Sequence, residues 1–356
     1  MFKKVITLIQ IILIIMVISL IYFIGRETYD LKKPIEPYYK KLGLIVNGIG
    51  NGHITQAITV YKILKKKYQI PIVVIWGRDE GCDNLFPDSY VAYHKMFSNR
   101  ETINSMNKSK VLKDFWFNSL PSYHYENIYG VNMWWNFFVP DLFNFRTTQI
   151  NVSSQIAMED WKIDILQKIS AYLTYSIPVS INFKNKYSKY YLPPLICEKK
   201  IEREIDDKLV LCYSVSGEDF YKELKKIADK YIDFKFKYFT NLEFKNSNKN
   251  IEIFLPDKEN FKNYLKQCVC VLCTSGNELI LECVYNNIPV GTMACSNMHF
   301  EQKYNEDLYI KKLDYADSML DIDLNKLINK VRIEKSLELE KDLLLRDEKV
   351  YELCKI

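Results

Sequence analysis

The sequence predicts an α/β protein of two domains, each a parallel sheet covered by helices. Three observations carry that expectation. The chain has 356 residues, enough for two cores of ordinary size. Between Leu42 and Gly77 an aliphatic run, an amphipathic run and a second aliphatic run follow one another, as in a strand–helix–strand unit. From Leu209 to Cys295 the same alternation returns.

Residues 44–47 read as a buried strand, and the loop Gly48-Ile49-Gly50-Asn51-Gly52-His53 follows. A helix is expected over 54–67. Ile54, Ala57, Ile58, Tyr61 and Leu64 recur at three- and four-residue steps and share one apolar face. Lys65, Lys66 and Lys67 fall at its C-terminal end, where the helix dipole favours cations. Residues 71–77, PIVVIWG, read as the next strand. From Asp83 to Phe145 no period emerges, and aromatic residues crowd the segment 115–145. We read them as core, with contact to a lipid-linked acceptor as the alternative. Strands at 148–155 and 177–183 flank a helix at 158–175. The Pro pair in YLPPLIC, 191–197, interrupts helix and strand alike and marks a linker. Beyond it, strands at 209–215, 234–240, 251–256, 268–273 and 288–295 alternate with helices at 219–231, 262–267 and 278–286.

The N-terminus differs. Val5 to Gly25 carries no charge, and Gln10 is its one strongly polar residue. About 20 apolar residues cross a bilayer as a helix. No small-residue cleavage site follows, so an uncleaved single-pass anchor is expected. The expected organisation is thus anchor 1–25, stem 26–41, first domain 42–190, linker 191–197, second domain 198–316 and a charged helical tail 317–356. Lys3 and Lys4 precede the anchor, whereas Arg26, Lys32, Lys33, Lys40 and Lys41 follow it. That asymmetry favours a cytosolic catalytic part. Nine cysteines, five of them between Cys268 and Cys295 on apolar segments, suit a reducing compartment. Sequons at Asn107 and Asn151 point the other way. The net charge of +5 is diffuse, and no nucleic-acid partner is expected.

Two stretches carry chemistry. The glycine loop lets backbone approach a ligand closely, and the helix start behind it favours an anion. A dinucleotide site has the pattern G-x-G-x-x-G; here Gly52 arrives one residue early, and Asp79 and Glu80 lie too far along to reach a ribose. An NAD-dependent oxidoreductase is therefore the disfavoured alternative, and a tight turn with a solvated His53 the plain one. The second stretch runs from Thr274 to Asn305. Ser275 and Glu278 have capping-box spacing. Glu282 lies one turn on, among Leu281, Cys283 and Val284; a carboxylate there wants donors, which a sugar's hydroxyl pair supplies. His299, Phe300, Glu301 and Gln302 follow a strand, where parallel sheets bind ligands.

Together these motifs resemble the GT-B glycosyltransferases, in the group of UDP-glycosyltransferases, the lipid II-forming N-acetylglucosaminyltransferase and monogalactosyldiacylglycerol synthase. The similarity spans residues 42–305: GIGNGHITQA, then Ser275-Gly276, Glu282, IPVGTMA and Glu301-Gln302 in order, with a Pro-containing linker between. It implies two Rossmann-like domains facing across a cleft, and inverting transfer of a sugar from a UDP-linked donor to an acceptor hydroxyl. Ser275, Gly276 and Asn277 would hold the diphosphate, Glu282 the ribose, and Glu301 and Gln302 the donor sugar. Gly50, Asn51 and Gly52 would line the acceptor side, with His53 as general base. The implied partners are a nucleotide sugar, a carbohydrate or lipid acceptor and the membrane, with no metal and no further cofactor. Leu279 replaces a frequent Thr, and Asn277 a frequent Gly. A catalytically inactive, membrane-anchored binding protein is the alternative from another class. Asp321 and Asp323 read as a solvated face. Cys268, Cys270, Cys273 and His299 do not converge for zinc, since Cys268 and Cys270 would share a strand face opposite Cys273.

Overall fold

Both expected sheets form, and every strand pairing within them is parallel. The computed structural model describes residues 38–48, 51–76, 81–94, 125–131, 148–153, 176–182, 190–196, 200–214, 218–241, 248–295 and 300–354. The expected membrane anchor, most of the stem, the helix at 158–175 and the aromatic residues flanking 125–131 lie outside them. Among the described residues, no helix is long and apolar enough to cross a membrane.

The first sheet contains β1 (Tyr38–Asn47), β2 (Gln69–Trp76), β3 (Tyr90–His94), β4 (Tyr125–Val131), β5 (Thr148–Ser153), β6 (Ser176–Ile181) and β7 (Tyr190–Leu192). Their order is β3-β2-β1-β4-β5-β6-β7. Leu44 aligns with Val73 on one side and Tyr129 on the other, so β1 is central. Helix α1 runs Asn51–Leu64, starting before Ile54 and ending before the three lysines. Ile54, Ala57, Ile58, Tyr61 and Leu64 are all buried, as their spacing predicts. The Asn151 sequon falls in β5, between β4 and β6, not on the surface loop that a glycan needs. Asn107 lies outside the described residues.

The second sheet contains β8 (Asp206–Ser214), β9 (Lys235–Thr240), β10 (Ile251–Phe254), β11 (Cys268–Thr274), β12 (Val290–Met293) and β13 (Asp317–Ser318). Their order is β10-β9-β8-β11-β12-β13. The helices are α2 (Glu218–Lys230), α3 (Lys258–Gln267), α4 (Asn277–Tyr285) and α5 (Phe300–Asp307), then α6 (Leu324–Leu327), α7 (Ile333–Leu344) and α8 (Arg346–Leu353). Helix α3 begins four residues earlier than its apolar pattern suggests, because the Asp257 side chain caps it, accepting from the Asn260 N–H at 2.7 Å. Strand β11 corrects the expected cysteine geometry. Its pairing with β8 slips between Cys268 and Cys270, so Cys268 joins Cys273 in one core and Cys270 faces the other. The eight described cysteines are buried, and none is disulfide-bonded.

The segment expected as linker starts as strand. Tyr190 pairs with Val179, and the prolines then end β7. Leu195 belongs to the first core and Ile196 to the second, so the chain crosses between them. The expected tail is shared by both domains, because its apolar helix faces need partners. Asp317–Ser318 adds an edge strand to the second sheet. On α7, Leu339 lies in the second core, and the Ser336 hydroxyl donates to the Tyr285 carbonyl at 2.7 Å. Helix α8 returns to the first core with Val350, Tyr351, Leu353 and Cys354. Arg346 sits at this second crossing, 1% exposed, and donates to the Ile196 carbonyl at 2.8 Å. The Tyr351 hydroxyl donates to the carbonyl of Ile63 at 2.7 Å, and Lys66 pairs with Asp347 at 2.6 Å. Tyr351→Phe removes that donor and leaves the carbonyl with the Lys66 N–H at 3.2 Å. It should lower stability by about 1 kcal/mol in urea unfolding, the usual effect of a lost buried hydrogen bond.

Candidate active site

In each sheet, neighbouring crossovers diverge at one point: between β1 and β4, and between β8 and β11. Open parallel sheets bind ligands outside the carboxyl ends of the strands at such points. The glycine loop follows β1, and Ser275-Gly276 follows β11, so both expected motifs arrive there.

The turn after β11 is braced from behind. The Ser275 N–H donates to the Met293 carbonyl at 3.0 Å. Its hydroxyl bonds to that of Thr292 at 3.0 Å, and Thr292 donates to the carbonyl of Cys273 at 3.0 Å. The Ser275 carbonyl accepts from the Asn305 amide at 3.1 Å. Ser275 is fully buried in consequence. This corrects the expected capping box: Gly276 is the N-cap of α4, with extended backbone and no side-chain cap bond. Gly276 is the exposed member of the pair. Asn277, the first residue of α4, is buried and accepts from the Tyr309 hydroxyl at 2.6 Å. The start of α4 is thus an open, fixed cluster of backbone N–H groups, with the positive end of the helix dipole behind it.

One turn along, Glu282 is largely enclosed. Burial pushes its carboxyl up from the ordinary value of 4.5, and Lys262 and Lys258, on α3, pull it back down. Gln302 is buried, its carbonyl accepting from the Cys295 N–H at 3.2 Å, so it would meet a ligand through its NH2 group. Glu306 likewise accepts from the Ala294 N–H at 3.2 Å, tying α5 to the end of β12. Glu301 opens the first turn of α5; its side chain and His299 lie outside the described residues.

On the facing domain, Gly48 is buried at the end of β1, and Gly50 lies outside the described residues. Asn51, Gly52 and His53 form the first turn of α1. Gly52 meets Glu278: a methyl group at residue 52 would lie 3.1 Å from Cδ of Glu278 and 3.5 Å from its Cγ. The two helix starts therefore meet across the cleft. The structure brings Gly52 against Glu278, and so sets the first turn of α1, which carries His53, against the first turn of α4, which carries Asn277 and follows Gly276, with Glu282 one turn along. Among the described residues, no three side chains gather as metal ligands.

Sequence reasoning missed Lys258, Lys262, Thr292, Asn305 and Tyr309. Asn305 and Tyr309 carried a signal: four residues apart, they share a helix face.

Among solved structures, the chain matches glycosyltransferases. UGT89C1 of Arabidopsis thaliana, solved with quercetin, aligns with a TM-score of 0.62 at 13% identity, covering 88% of this chain and 98% of that one. The glycosyltransferase SnogD from Streptomyces nogalater gives 0.56 at 8% identity, covering 88% and 99%. MurG of Acinetobacter baumannii gives 0.50 at 13% identity, covering 88% and 95%. UGT89C1 has also been solved with UDP and with UDP-L-rhamnose. No family model matches the sequence, and no curated protein matches it. The fold is that of the GT-B glycosyltransferases, as the motifs implied.

The Glu282 surroundings fix a sign. Its folded pKa is raised, so ionisation disfavours the folded state, and this group's contribution is greatest at low pH. Stability is lost as pH rises from about 4.5 through the folded value. Glu282→Gln should therefore gain stability over wild type across that rise and hold the gain above it, as read by thermal melting in a pH series. A pH-independent difference would contradict the raised value.

Tyr309→Phe removes the hydroxyl that donates to buried Asn277. It should lower the melting temperature and destabilise by about 1 kcal/mol in urea unfolding, the usual effect of one lost hydrogen bond.

Proposed function

We propose that this chain is a glycosyltransferase that moves a sugar from a UDP-linked donor to an acceptor hydroxyl. The observation that carries the reading is the braced start of α4, open at Gly276, facing the glycine-lined start of α1 across the cleft, with Glu282 one turn along. Solved neighbours that hold UDP and UDP-L-rhamnose support it.

In this reading the diphosphate sits at the start of α4, held by backbone at Gly276 and Asn277, while Ser275 fixes the turn. Glu282 accepts from the ribose hydroxyls. Gln302, through its NH2 group, and Glu301 face the donor sugar. Gly50, Asn51 and Gly52 shape the acceptor side. The acceptor oxygen attacks the anomeric carbon and its proton passes to the His53 imidazole. The bond from that carbon to the phosphate oxygen breaks, and UDP leaves with the electron pair. A single displacement inverts the anomeric centre. The N–H groups and dipole of α4 stabilise the departing charge, a role that needs no metal. Residues 1–25 anchor the protein in a membrane as a single pass, with the catalytic part cytosolic, and this favours a lipid or lipid-linked acceptor.

The test is thermal melting of the full chain in detergent with UDP and, separately, NAD. At about 100 times the dissociation constant, UDP should stabilise by about 2.7 kcal/mol. Glu282→Ala should lose that shift. A shift with NAD alone would overturn the reading. UDP binding without turnover on any donor and acceptor pair would favour a binding protein. Product that partitions into organic solvent would support the lipid acceptor, and purely aqueous product would exclude it.

A further inference from the structure

Glu278 belongs to the first turn of α4, and its side chain reaches beyond that helix. Capping-box spacing gave it a partner in Ser275, but the Ser275 hydroxyl turns inward to Thr292, and the N-cap passes to Gly276. The Glu278 side chain instead reaches the other domain and lies against Gly52. A glycine leaves room for it there. A methyl group would meet the carboxylate at its Oε2, with Cδ at 3.1 Å and Cγ at 3.5 Å. Gly52 is the second residue of α1. The leading N–H groups of a helix have no partner within it, and a carboxylate is favoured at that positive end. Glu278 is thus an acid carried by one domain and seated on the anion-favouring end of the other.

We propose that Glu278 is an interdomain latch, holding the start of α1 against the start of α4 until a nucleoside diphosphate displaces it. This rests on reading α4 as the diphosphate end. Glu278 is rooted in the first turn of α4, so an anion bound there lies within a few ångströms of its carboxylate, and like charges repel. The nucleotide and the latch compete for one positive region. The measured affinity of the wild type is therefore its intrinsic affinity reduced by the fraction of molecules still latched. Gly52 is the seat: any side chain there evicts the carboxylate.

Two variants of the full chain in detergent test this. Glu278→Gln keeps the shape and removes the charge. Gly52→Ala keeps the charge and fills the seat, although alanine is the better helix former. Without ligand, amide hydrogen exchange over residues 51–54 should quicken in both. UDP should bind each about tenfold more tightly than wild type, equivalent to ~1.4 kcal/mol. Unchanged exchange in both variants, or UDP affinity equal to or below wild type in both, would overturn the latch. UDP binding by the variants but not by wild type would support it. If no form binds UDP, the nucleotide reading falls, and exchange alone decides whether Glu278 holds the domains.

Discussion

Parallel pairing is the constraint on which the rest of this structure depends. Parallel strands cannot be joined by a tight turn, so each connection returns across the sheet and delivers the next loop to the same edge. In both sheets the crossovers part company at one point, beside β1 in the first and beside β11 in the second. A crevice opens wherever that happens, and the helix leaving it presents its N-terminus there. Gly52 and Gly276 occupy those places because of topology; at Gly52 a side chain of the other domain comes close, and Gly276 is exposed at the start of α4.

The two halves of the cleft are built differently. The α4 side is fixed: Thr292, Asn305 and Tyr309 each bond into the three-residue turn at 275–277, so its N–H groups are held in place before any ligand arrives. Such preorganisation makes a helix end effective towards charge that develops in a reaction. The α1 side is a glycine loop with the 14-residue helix α1 behind it. The chain passes between the domains twice, at Leu195–Ile196 and at Arg346, and Arg346 ties the two passages together. Two passages joined at one place leave bending about that junction as the easy relative motion, which is what a cleft that opens and closes needs.

Much of this was legible. Buried parallel strands read as apolar runs, and β2, β11 and the inner parts of β1 and β8 do. Helix α1 was legible through its apolar spacing, and the two site motifs through their place after strands. Strand β4 was not: YENIYGV mixes Glu, Asn, Tyr and Gly, has neither helical nor alternating period, and takes its strand geometry from β1 and β5 on either side. Strand β7 hid behind its two prolines. The capping box failed for a related reason. Ser275 obeys a local pattern, but a hydroxyl 17 residues away competes for it and wins, because a buried hydroxyl without a partner is costlier than a helix start left open to solvent. The slip in β11 that separates Cys268 from Cys270 is likewise a property of pairing with β8, invisible in one strand alone.

Glu278 and Glu282 stand four residues apart on α4, a spacing at which like charges on one helix repel. Each is relieved from a different direction. Lys258 and Lys262, on the neighbouring helix of the same domain, draw the Glu282 carboxyl back towards ionisation. Relief for Glu278 comes from the start of α1, in the other domain. The two acids are therefore unequal when the cleft opens: Glu282 keeps its lysines, whereas Glu278 loses its seat. The helix end that must hold a departing diphosphate thus has a field that depends on the distance between the domains. A closed cleft keeps the Glu278 carboxylate between the two helix starts, where it competes with an anion for that positive region. Release of the carboxylate from Gly52 ends that competition. Domain motion and anion affinity are in this way coupled through one carboxylate and the glycine that admits it.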